Sequence, residues 1–142
     1  MASHVLVPYD GSEQADQALD HAFEEHGDAT VSVLHVIDPV EAGYTSQPTA
    51  FGQAEEWFES AKEEAGEMLD TVEARADDAG VAVETAIEVG RPSRTIVEYA
   101  DEEGVDHIVM GSHGRSGVSR ILLGSVAEAV VRRSPVPVTI VR

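Results

Sequence analysis

Five short apolar runs, separated by stretches whose apolar residues recur every three or four positions, constrain this chain more than any other feature. The first, His4-Val5-Leu6-Val7-Pro8-Tyr9, stops at Asp10-Gly11-Ser12, a turn-forming triplet. Ala15, Ala18, Leu19, Ala22 and Phe23 then recur at helical spacing, with Ser12 or Asp10 as candidate N-cap. Residues 30–37 form a second β-branched run, closed by Asp38-Pro39. The third run covers 81–87 and alternates, as a less buried strand does; the fourth covers 106–110 and the fifth 136–141. Between the second and third, Phe58, Ala61, Ala65, Met68, Leu69, Val72 and Ala76 mark one long amphipathic helix over 53–79, ended by Gly80. A helix opens at Gly90-Arg91-Pro92-Ser93, and another is predicted over 118–133. Parallel strands need long crossovers, and the helices supply them. The order β-α-β-α-β-α-β-α-β therefore predicts one α/β domain over residues 1–142, a doubly wound five-stranded parallel sheet with helices on both faces. The stretch 40–52, rich in Gly, Pro, Ser and Thr, reads as a long mobile loop.

Charge narrows the function. With 27 acidic residues against 9 basic ones the net charge is −18, which repels nucleic-acid phosphates and anionic membranes. The long helix shows the imbalance most clearly: Glu55, Glu56, Glu59, Glu63, Glu64, Glu67, Asp70 and Glu73 are accompanied only by Lys62 and Arg75. Such a surface suits a halophile, because at ~1 M salt the screening length falls to about 3 Å and self-repulsion is damped. The absence of cysteine excludes disulfides, thiolate nucleophiles and Cys-based zinc sites. No basic leader and no run of about 18 apolar residues appears, so a cytoplasmic protein without a membrane segment is expected.

Open doubly wound sheets bind ligands beyond the carboxyl ends of their strands. Two loops fall there: Asp10-Gly11-Ser12 after the first strand, and Gly111-Ser112-His113-Gly114-Arg115-Ser116-Gly117 after the fourth. The second continues to Gly124-Ser125, giving Gly111-x-x-Gly114, nine residues, then Gly124-Ser125. It is neither a GxGxxG fingerprint nor a Walker loop. Glycines that admit a ligand close to the backbone, amides at a helix start and two arginines, Arg115 and Arg120, nevertheless point to an anion such as phosphate. Tight-turn geometry explains lone glycines equally well.

The combination of Val7-Pro8-Tyr9-Asp10-Gly11-Ser12, Leu34-His35-Val36-Ile37, Met110-Gly111-Ser112-His113-Gly114, Gly124-Ser125 and Pro135-Val136-Pro137-Val138 resembles the universal stress proteins along essentially the whole chain. The resemblance implies an adenine-nucleotide alpha hydrolase-like fold and the family's ATP-binding branch, with ATP, or AMP or ADP, as ligand. It places Pro8 and Tyr9 against the base, Asp10 toward ribose or phosphate, and Val36 backbone groups at the adenine edge. Met110 and Gly111 would flank the sugar, Gly114 and Arg115 would meet the phosphates, and Gly124, Ser125 and Val126 would complete the cradle. A Mg²⁺ or Mn²⁺ ion would bridge phosphate oxygens with few protein ligands. Tyr9 stands where the family often has a small residue.

Simpler roles compete. Asp10 is also a helix-cap residue and Ser125 also a surface serine. His113 is a loop histidine more readily hydrogen-bonded than catalytic, and His35 reads as a satisfied core histidine. His4, His21, His26 and His107 lack metal-ligand spacing. Three functions follow in order: an ATP-binding regulatory module acting on an unidentified protein partner, a slow Mg-dependent ATPase, and a nucleotide-free dimeric scaffold. The uncharged run 136–141, with Pro137 removing one donor, reads as a sheet edge that pairs with its copy in a homodimer.

Overall fold

The computed structural model of the protein describes residues 3–39, 51–112 and 123–142. His113, Gly114, Arg115 and Arg120 lie outside them, as do residues 40–50 of the loop expected over 40–52; Phe51 and Gly52, placed in that loop from sequence, instead begin a helix. Among the described residues nine elements follow in order: β1 (His4–Pro8), α1 (Glu13–Glu25), β2 (Thr30–Ile37), α2 (Phe51–Ala79), β3 (Val83–Val89), α3 (Pro92–Glu102), β4 (His107–Gly111), α4 (Ser125–Arg133) and β5 (Val138–Val141). All strand pairs are parallel, in the order β3-β2-β1-β4-β5. The expected α/β fold is therefore the observed one.

Alternation of side chains along each strand divides the core in two. Val5 and Val7 of β1, Val31 and Val33 of β2 and Val109 of β4 pack against Ala18, Leu19 and Ala22 of α1 and Leu69 and Val72 of α2. Leu6, Leu34, Ile108 and Met110 point to the opposite face, against Ile96 and Ala100 of α3 and Ala127 and Val130 of α4. The buried hydroxyl of Ser32 on that second face is met by His4 Nε2 at 2.6 Å.

Chain order reverses direction between β1 and β4. There the ladder registers only Val5 with His107 and Leu6 with Ile108, whereas β2 and β3 stay in register from Val31↔Val83 to Ile37↔Val89. Beyond Leu6 and Ile108 the two central strands no longer pair, and the crevice expected at a switch point opens at their carboxyl ends.

Several boundaries differ from the sequence reading. β3 starts at Val83 rather than 81 because Val81 N–H closes the end of α2 on the Ala76 carbonyl at 3.0 Å. Leu123 and Gly124 precede α4, so helix begins at Ser125 and the portion expected at 118–122 falls outside the described residues. β5 starts at Val138, after Pro137, whose carbonyl still accepts from Ile108 N–H at 3.0 Å.

Candidate functional site

At the carboxyl ends of β1, β2 and β4 lies a cleft of about 1120 Å³. Of the residues singled out from sequence, Pro8, Tyr9, Asp10, Val36, Met110, Gly111, Gly124, Ser125 and Val126 all line it. Gly114 and Arg115 are outside the described residues.

The floor is built by the turn after β1. Gly11 takes a positive φ of 78°, which lets the chain turn sharply. The Asp10 carboxylate accepts from Ser12 N–H at 2.9 Å, and Ser12 Oγ accepts from Ala15 N–H at 3.1 Å. Ser12, not Asp10, is thus the cap of α1, while Asp10 braces the turn that leads into it. On the neighbouring strand, Tyr9 N–H donates to the Leu34 carbonyl at 2.8 Å and the Tyr9 carbonyl binds His35 Nδ1 at 2.8 Å. His35 is satisfied as expected, but it is half-buried on the cleft wall rather than within the core.

Tyr9 has a second face. Its ring joins the core beneath α1 and α2, and its hydroxyl donates to Asp16, which with Asp20 also holds Arg75 of α2. Burial, then the adjoining Asp16 carboxylate, pushes the phenol up to about 12. The aromatic ring that departs from the family's small residue is therefore anchored to the helix layer.

Opposite that floor is the start of α4. Gly124 N–H donates to the Ser112 carbonyl at 2.7 Å, so the two ends of the 113–122 segment are tied together. Gly124 occupies the N-cap of α4 and provides no side-chain cap. Intrahelical bonding begins with Glu128 N–H on the Gly124 carbonyl at 2.9 Å, so the amides of Ser125, Val126 and Ala127 precede it at the positive end of the helix. This arrangement can receive an anion.

Gly111 has a packing reason beside the one sequence suggested. A Cβ there would lie 2.8 Å from both Cβ and the carbonyl oxygen of Gln14, so the residue is small because α1 crosses the end of β4. It still lines the cleft.

The structure adds walls that sequence did not single out. Trp57, Ala61, Ala65 and Met68 come from α2, and Arg91, Pro92 and Ser93 from the start of α3. Arg91 is the N-cap of α3 and forms no ion pair among the described residues, although the chain is strongly acidic. Both additions depend on long-range packing; only Arg91 carried a sequence signal, as a rare cation beside a helix start.

An open doubly wound sheet with a crevice at its switch point, bounded by a strand-end turn and the first amides of a helix, defines an α/β protein of the ligand-binding kind. The chain belongs to the universal stress protein family, whose profile matches residues 1–142. It is 38% identical over 140 residues to universal stress protein MJ0531 of Methanocaldococcus jannaschii, covering 97% of this chain and 81% of that protein. The structure of MJ0577 from the same organism superposes with a TM-score of 0.84 at 38% identity, over 98% of this chain and 94% of that one. A universal stress protein solved in complex with cAMP superposes at 0.71 with 29% identity, over 99% and 97% of the two chains.

Proposed function

We propose that the protein is an adenine-nucleotide-binding regulatory module of the ATP-binding branch, adapted to high salt, whose occupancy is read by a protein partner. The observation that carries this reading is the opening of the side-chain-uncapped α4 start into the same cleft as the Asp10 turn and the carboxyl end of β2. Phosphates fit the Ser125, Val126 and Ala127 amides, together with the Ser125 hydroxyl; Gly114 and Arg115, outside the described residues, are proposed as further phosphate contacts from the sequence motif. The base fits toward Pro8, Tyr9 and Val36, and Met110 and Gly111 flank the sugar. The cAMP complex of a relative supports an adenine ligand. A Mg²⁺ or Mn²⁺ ion would be held chiefly by phosphate oxygens and water, since such ions use few protein ligands.

Hydrolysis would be slow. Asp10 is engaged with Ser12 N–H and His35 Nδ1 with the Tyr9 carbonyl, so these two cleft residues already serve the local fold. Turnover of ~1–100 per second, usual for kinases, would make the protein an enzyme first.

Titration of labelled ATP by equilibrium dialysis in molar KCl tests the site. Wild type binds, and Gly124→Val, which keeps an extended backbone at φ −65° and ψ 161°, loses binding while remaining folded. Undiminished affinity in the folded variant overturns the assigned cradle.

A further inference from the structure

The long helix α2 outruns the sheet it covers. Its 29 residues span about 43 Å at 1.5 Å per residue, while the eight residues of β2 beneath it span about 26 Å at 3.3 Å per residue. The part over the sheet is recognisable from burial: Ala65, Leu69, Val72 and Ala76 are at most 3% exposed. Continuing the same stripe toward the helix start at four-residue steps leads to Ala61 and Trp57, both half-buried and both on the cleft wall. Trp57 belongs to neither core cluster. The inner stripe of α2 therefore extends beyond the core, and its outermost large side chain lies along the cavity.

We infer that Trp57 is a ligand-contacting and specificity-determining residue, its indole stacking on the planar base of the nucleotide while Ala61, one turn nearer the sheet, leaves the slot clear. This inference rests on the adenine-nucleotide reading and adds the wall that closes over the base. Two features of the chain favour an aromatic contact here. The α2 residues on the cleft wall are Trp57, Ala61, Glu64, Ala65 and Met68, none of them cationic, so an aromatic face is what this helix offers a planar neutral base. Stacking also persists in concentrated salt, where charge pairs are screened.

Trp57 is the only tryptophan in the chain, so its fluorescence reports this contact alone. Dialysis with labelled ATP measures binding independently of it. Saturating ATP should quench the emission, and adenosine should quench it equally, while inorganic tripolyphosphate should leave it unchanged. Trp57→Ala should weaken ATP and adenosine alike by about tenfold, within the range for one base stacked on an aromatic ring. Trp57→Phe should restore most of that loss, and the effect of Trp57→Ala should persist from dilute buffer into molar KCl. Absence of ATP binding to wild type by dialysis would overturn the nucleotide reading and this inference with it. ATP binding with silent fluorescence, or with Trp57→Ala at wild-type affinity, would overturn the inference alone.

Discussion

Replacing Gly111 by alanine separates two explanations of a glycine beside a ligand site. The added Cβ would stand 2.8 Å from Gln14 Cβ and Gln14 O and 2.9 Å from Gln14 C, where ordinary contact begins at 3.4 Å. Two of those three atoms are main-chain, so relief requires the first turn of α1 to retreat by about 0.6 Å rather than a side chain to rotate. That turn is fixed by Ser12 Oγ on Ala15 N–H and by Asp10 on Ser12 N–H. Overpacking of this kind costs about 1–3 kcal/mol. At roughly 2.1 cal/mol/K per residue, a chain of this length loses about 3 °C in Tm per kcal/mol, so a fall of about 3–10 °C is expected. Thermal unfolding followed by circular dichroism, without nucleotide and in molar KCl, measures it. An unchanged Tm combined with lost ATP binding would refute the packing argument and return Gly111 to a purely ligand-driven role.

Three further outcomes are expected. The Tm of wild type should climb steeply from dilute buffer to molar KCl, because screening relieves the −18 charge; a flat profile in calorimetry removes the halophile reading. Tyr9 should ionise near 12, against an ordinary value of about 10, and Asp16→Asn should bring it down, as followed by tyrosinate absorbance. Since the folded value is the higher one, its contribution to stability is complete below about pH 10 and fades as pH rises from there toward 12; a Tyr9 that titrates normally contradicts the anchored hydroxyl. Light scattering should show twice the 15.1 kDa chain mass, with Thr139→Pro plus Val141→Lys halving it, because β5 lies at the sheet edge. A wild-type monomer, or a double variant that stays dimeric, removes the β5 pairing.

The order of elements was legible because strands buried on both faces leave continuous apolar runs and helices leave a three-to-four spacing. β2 at Thr30–Ile37 has the limits read from sequence, and α1 at Glu13–Glu25 spans the spaced residues Ala15 to Phe23. β3 was misplaced by two residues at each end because its extent is set by pairing with β2, and its last residues, Glu88 and Val89, are exposed at a sheet edge where hydropathy is a poor guide. The start of α4 was set too early because Val118, Ile121 and Leu122 continue an apolar spacing that Gly124 interrupts. At the cleft, contributions adjacent to strand ends were found from sequence, since loop position follows from topology. Trp57 and Arg91 were not, because each reaches the cleft through tertiary packing of a helix start. For Gly111 the packing reason was not legible: a glycine in sequence does not reveal that α1 occupies the space beside it.

The short β1–β4 ladder gives the sheet a seam. Val5↔His107 and Leu6↔Ile108 are its registered pairs, and the Asp10 turn sits on one side while Ser112, Gly124 and the α4 amides sit on the other. A molecule lodged in the cleft touches both banks and acts as a clasp, adding binding free energy where the strand-to-strand bonding is sparsest. At a hundred times its dissociation constant such a clasp contributes about 2.7 kcal/mol. Amide exchange should then slow chiefly in β1 and β4, so that occupancy is felt as a stiffening of the sheet's middle rather than as movement of its edges.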